Sequence, residues 1–215
     1  MGGILNEHVE WAVVNRLKAM LDVPPKTKFN VTQSFALFSA ILLWTKQRAW
    51  VGGDLHERPE WFTDADHAAR GDREALRKGS IFNPPWSLSK VRPQLRHVES
   101  SSRNDLAGEL INSDFEGMTT EQFIRWLRDA LAHGDGRTIR PIHKLSRSGS
   151  KTLLAGFEIV FPAQRRSREN LILALYHGDM IRIGATLADA FCKSLSGGDQ
   201  YFEREAGTAA IKEAA

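Results

Sequence analysis

Apolar positions recur at helical spacing in four stretches of the chain and at alternating spacing in a fifth. Residues 4–22 carry Leu5, Val9, Ala12, Val13, Leu17 and Met20, a helix stopped by Pro24-Pro25. Residues 31–50 repeat the pattern with Val31, Phe35, Phe38, Leu42 and Thr45. Asn30 supplies an N-cap, and Gly52-Gly53 is expected to end this second helix. Residues 119–133 are the best-specified element. Thr119 and Gln122 form a capping-box pair, Phe123, Leu127, Ala130 and Leu131 make one apolar stripe, and Gly134 marks the stop. After it, Thr138–Ile142 and Leu153–Phe161 alternate, separated by the loop signal at 146–150, which predicts a β-hairpin.

A last helix is expected from Ser167 or Arg168 to about Leu195. Leu171, Ala174, Leu175, Ile181, Ala185, Ala188, Cys192 and Leu195 fall on one face, and Gly197-Gly198 follows. Within it, His177-Gly178-Asp179 repeats the end of the third helix and reads as a local kink. The region 51–118 breaks the pattern. It holds Pro59, Pro84, Pro85 and Pro93 with scattered charges, yet also Trp61, Phe62, Phe82 and Trp86. It is expected to be an insertion with short helices at 64–78 and 103–113. Residues 1–200 then form a single domain and 201–215 a flexible tail. The predicted fold class is mainly α, a four-helix up-down bundle.

Composition narrows the function classes. The chain has 215 residues, 42% of them hydrophobic, which supports one core. No apolar run reaches a membrane span, and nothing resembles an export signal. A single cysteine excludes an internal disulfide and any cysteine-rich metal site. A cytoplasmic location is expected. The net charge of +3 is modest, but Arg165, Arg166 and Arg168 cluster, as do Lys90, Arg92 and Arg96, and Arg137 and Arg140 follow the third helix.

Three arginines precede a histidine by five or six residues: Arg92–His97, Arg128–His133 and Arg137–His143. The first is followed by Pro93, and the third spans Pro141 in a predicted strand. Only Arg128–His133 ends a long amphipathic helix, with Asp129 after the arginine. At about 100° per residue, Arg128 and His133 flank the apolar stripe on opposite sides. One regular helix cannot aim both at one atom, so either the helix unwinds at Gly134 or two copies pair about a two-fold axis.

The plan of the helices and the sequence Arg-Asp-Ala-Leu-Ala-His-Gly at 128–134 resemble HEPN domains (higher eukaryotes and prokaryotes nucleotide-binding). Arg128, Asp129 and His133 match that family's motif of arginine, polar residue and histidine. The hairpin after the motif resembles a bacterial branch of the family. The resemblance covers 1–50 and 119–195. It implies a HEPN-like bundle with a long insertion between helices 2 and 3 and a β-hairpin before the last helix. It also implies homodimers whose paired motifs cleave RNA without metal or cofactor, often in toxin–antitoxin or phage-defence systems with a partner protein. The chemistry agrees. RNA carries its own nucleophile, a histidine can remove the 2′-hydroxyl proton, and an arginine can stabilise the phosphorane. Arg128, Asp129 and His133 are therefore the expected catalytic residues, with Arg137, Arg140 and His143 as RNA contacts. The alternatives are a non-catalytic module that binds nucleotide or RNA, and a structural dimerisation protein.

Other candidates are weaker. His56 and His67, with Glu57, Asp64 and Asp66, fit no metal-ligand spacing. Cys192 reads as a buried inert thiol. Trp86 and Trp126 read as core or interface anchors rather than base-stacking platforms.

Overall fold

The computed structural model describes the backbone of residues 9–23, 28–54, 74–89, 115–136, 138–149, 151–161 and 171–194, with side chains except at 47–54 and 171. Its elements are α1 (Val9–Asp22), α2 (Asn30–Asp54), α3 (Thr120–Ala132), β1 (Ile139–Leu145), β2 (Thr152–Phe161), β3 (Leu171–Tyr176) and α4 (His177–Lys193). Residues 74–78 are also helical.

The four-helix, mainly α plan is therefore wrong. The chain is an α/β mix with a three-stranded antiparallel sheet in the order β1-β2-β3. The expected hairpin strands form, but they are two strands of three. The third strand is the first part of what reads as the last helix. Leu-Ile-Leu-Ala-Leu-Tyr at 171–176 satisfies helical spacing only because nearly every position is apolar. Ile172, Leu173, Ala174 and Leu175 are all buried, which a strand with both faces covered also requires. No kink exists at His177-Gly178-Asp179; α4 begins there. The Asp179 carboxylate accepts a hydrogen bond from the Tyr176 N–H at 3.2 Å, tying strand end to helix start. A second correction concerns α2, which continues through Gly52 and Gly53 to Asp54. Glycine costs a helix about 1 kcal/mol against alanine but does not forbid one. Of the short helices expected in 51–118, only 74–78 falls in the described residues. Residues 103–113, and the tail at 201–215, lie outside them.

α1, α2 and α4 pack on one another, and α3 lies against α2 and β2. The core joins Phe38, Ile41 and Leu42 of α2 to Ile183, Leu187 and Phe191 of α4 and to Ile159 and Leu173 of the sheet. α4 comes so close to α1 and α2 that a Cβ on Gly184 would lie 2.7 Å from Leu21 Cδ2. Segment 80–89 docks on α4, with Arg182 donating to the Ser87 carbonyl at 2.7 Å and Thr186 to that of Pro85 at 3.5 Å.

Candidate functional site

The Arg128–His133 segment is carried by a firmly anchored helix. Thr119 Oγ1 accepts from the Gln122 N–H at 3.2 Å, and Gln122 Oε1 accepts from the Thr119 N–H at 3.0 Å. Such a cap contributes about 0.5–2 kcal/mol. The Thr120 hydroxyl donates to the Gly79 carbonyl at 2.7 Å, and Ser80 bridges Thr119, so segment 74–89 holds the start of α3. Phe123, Ile124 and Leu127 are buried and fix the helix rotation.

That rotation leaves the motif at the surface. Arg128 Nη1 donates to Asp129 Oδ1 at 2.6 Å, with the two side chains 37% and 48% exposed. The helix is regular to Ala132. His133 is its C-cap, with its N–H on the Asp129 carbonyl at 3.1 Å, and its imidazole is exposed. Since the helix does not unwind before His133, Arg128 and His133 stay about 140° apart around its axis. Gly134 is needed for room rather than for a left-handed turn. A Cβ there would lie 2.5 Å from Ile139 Cδ1 and 2.6 Å from the Ala130 carbonyl oxygen. Asp135 and Thr138 then exchange hydrogen bonds and launch β1.

Of the three expected RNA contacts, two can be placed on the sheet. Arg137 lies outside the described residues. Arg140 faces Glu158 across the sheet, and His143 pairs with Leu154 after a bulge in β2. By strand alternation Arg140 and His143 sit on opposite faces of the sheet. The metal candidates His56, Glu57, Asp64, Asp66 and His67 lie outside the described residues. Among the described residues no group of three His, Cys, Asp or Glu could hold a metal ion. Nor is any helix there long and apolar enough to cross a membrane. Trp86 is buried and donates its indole N–H to the Leu76 carbonyl. Trp126 packs against Phe161. Burial pushes the Cys192 thiol up to about 12, so it stays protonated.

Two groups of residues escape the sequence reading. Lys46 of α2 is 6% exposed and Arg77 is 3% exposed. Burial, with the charges of Arg77, Arg125 and Arg128 and against that of Glu121, holds the Lys46 ammonium below its usual value. The signal was present: Phe38, Leu42 and Lys46 follow one another at i, i+4, i+8, so a lysine continues an apolar line. The second group is a cleft of about 290 Å³ at the start of α2, lined by Lys28, Phe29, Lys144, Leu153 and His177 among others. His177 Nε2 shares a 2.9 Å hydrogen bond with the buried Ser34 hydroxyl. Burial, then the Lys144 charge, lowers its pKa from 6.5.

Comparison with protein-family models, with curated proteins and with solved structures gives no match in any of the three.

Proposed function

We propose that this chain is a metal-independent endoribonuclease of the HEPN type, acting as a two-fold homodimer in the cytoplasm. The observation that supports it is the end of α3, where an exposed imidazole follows an Arg128–Asp129 pair on a rigid, doubly capped helix. His133 takes the proton from an RNA 2′-hydroxyl, and the 2′-oxygen attacks the adjacent phosphorus. Negative charge on the phosphorane is met by Arg128, which Asp129 holds in place. The 5′-oxygen leaves with a proton, and the products are a 2′,3′-cyclic phosphate and a 5′-hydroxyl end. The angular separation of Arg128 and His133 supports drawing the two groups at one phosphate from different copies. Arg137, Arg140 and His143 are candidates for holding the flanking RNA, and an antitoxin or defence protein is the expected partner.

The test is incubation of purified protein with labelled RNA in excess EDTA, beside an Arg128→Ala, His133→Ala double variant, with sedimentation to count subunits. Cleavage that survives chelation, fails on DNA and disappears in the variant supports the assignment. Equal cleavage by parent and variant, or a monomer at micromolar concentration, removes it. The Arg128–Asp129 bond favours one second reading. A guanidinium already engaged by its neighbour also suits a non-catalytic module that binds RNA or nucleotide, or a structural dimerisation protein. An intact dimer without cleavage would leave that reading standing.

A further inference from the structure

Two cations occupy places where the fold normally seats apolar side chains. Lys46 extends the line of Phe38 and Leu42, both of them fully buried. Among the described residues it has no hydrogen bond or ion pair. Arg77, in the helical stretch at 74–78, is as deeply buried, and its charge acts on Lys46. Its Nη1 reaches Glu74 Oε1 at 3.4 Å, but Nε and Nη2 are buried without a hydrogen-bond partner. The described charges that act on Lys46 are Arg77, Glu121, Arg125 and Arg128. The last three lie at i, i+4 and i+7 on α3 and so share one helix face. Three of these four neighbours are guanidinium groups, and Glu121 stands one turn from Arg125. Burying cations with so little compensation is unfavourable, and an apolar side chain of similar volume at position 46 would be more stable. An anion placed among these groups would offset that cost.

The shape of the cluster says which anion. Arg125 is exposed and Arg128 half-exposed, so two of these cations lie at the surface of α3, Arg128 within the motif itself. A phosphodiester has two free oxygens, enough to meet an ammonium and a guanidinium together. We propose that Lys46, backed by Arg77 and flanked by Arg125 and Arg128, is the seat of a backbone phosphate of bound RNA. RNA as the source rests on the nuclease reading above; the phosphate seat rests on the buried cations. Lys46 is then a binding residue that draws the chain of phosphates onto the same face as Arg128.

The probe is a fluorescent 2′-O-methyl oligoribonucleotide, which binds but cannot be cut. Its anisotropy would be followed with the full-length parent and with Lys46→Met, Lys46→Arg and His133→Ala. Lys46→Met is expected to weaken binding at least tenfold and to lower the slope of log affinity against log salt by roughly 0.7. Lys46→Arg should retain most of the affinity, and His133→Ala nearly all of it. Lys46→Met should also melt several degrees above the parent, because the uncompensated charge is gone. Binding by Lys46→Met within twofold of the parent, or a lower melting temperature, would overturn the seat. ATP bound through Lys46 as tightly as the oligonucleotide would overturn RNA as its source. Lys46-dependent binding without any cleavage in the EDTA assay would keep the seat and remove the nuclease. Cleavage with Lys46-independent binding would do the reverse.

Discussion

The tripeptide His-Gly-Asp occurs twice, at 133–135 and 177–179, and the two copies do opposite things. The first closes α3 and the second opens α4. In the first, the histidine is exposed, the glycine is crowded by Ile139 and Ala130, and the aspartate turns the chain into β1. In the second, the histidine is tied to Ser34, a Cβ on the glycine would meet nothing within 4 Å, and the aspartate is buried against the end of β3. Identical local chemistry has been committed to different purposes by what precedes it: a long capped helix in one case, a buried strand in the other. A histidine that holds the fold together is poorly placed to move protons for a substrate, whereas an exposed one carries no such duty.

Replacing each histidine by alanine is the sharpest test of that division. On the nuclease reading proposed above, His133→Ala should reduce RNA cleavage by roughly 10²–10⁴, the effect of losing a general base, and leave the melting temperature unchanged. His177→Ala should leave the rate per folded molecule intact and destabilise by about 1–3 kcal/mol, because Ser34 is left buried without its partner. Chemical denaturation and a cleavage assay on both variants would read the two effects. A reversed pattern would dissolve the contrast.

The glycines should respond with opposite signs. Gly134→Ala forces a Cβ into Ile139 and the Ala130 carbonyl and should cost about 1–3 kcal/mol. Gly178→Ala meets open space in the first turn of α4 and should stabilise by about 0.4–1 kcal/mol. Equal effects in urea melts would mean that the crowding at Gly134 is relieved by movement of β1.

The aspartates differ less. Asp179→Ala removes the acceptor for the Tyr176 N–H and should cost about 0.5–2 kcal/mol. Asp135→Ala, at an exposed turn, should change stability too little to resolve. The smallest effect concerns pH. The His177 pKa is lowered from 6.5, so the unfolded chain holds the proton more tightly. Stability from this group is complete above 6.5 and is lost as pH falls through the folded value. Burial raises the Asp179 pKa from 3.8, which acts in the other direction: its contribution is complete below 3.8 and lost as pH rises through the folded value. His177→Gln should flatten the loss of stability between pH 7 and the lowered value. The difference between its unfolding profile and that of the parent isolates the His177 contribution.

The legible parts of the chain are those where one signal dominates. α3 is readable because the Thr119–Gln122 box and a strong apolar stripe agree on its start and its face. β1 and β2 are readable because alternation and a glycine-containing loop coincide, and Gly149 takes the left-handed conformation that the loop needs. β3 is not readable by periodicity, since a run buried on both faces has no period. Its limit was visible instead in Asp179, an acid placed three residues after Tyr176 as a helix-start residue. At the candidate site, the exposure of Arg128 and His133 could be read from their positions off the apolar stripe. Lys46 and Arg77 could not be paired from sequence, because their segments are related through α3, on whose start Gly79 and Ser80 dock and against which α2 packs.

No loop separates Tyr176 from His177, and the Asp135 carbonyl, two residues past His133, accepts from the Thr138 and Ile139 N–H groups at the start of β1. The two His-Gly-Asp copies therefore flank one three-stranded sheet, with a bulge at Ile142/His143, that runs from the end of α3 to the start of α4. A sheet paired in this way is a natural cooperative unit of opening. In native-state hydrogen exchange its central amides should share one opening free energy. A pull applied at the exposed end of α3 would then reach the core helices as a stiff displacement rather than be absorbed locally.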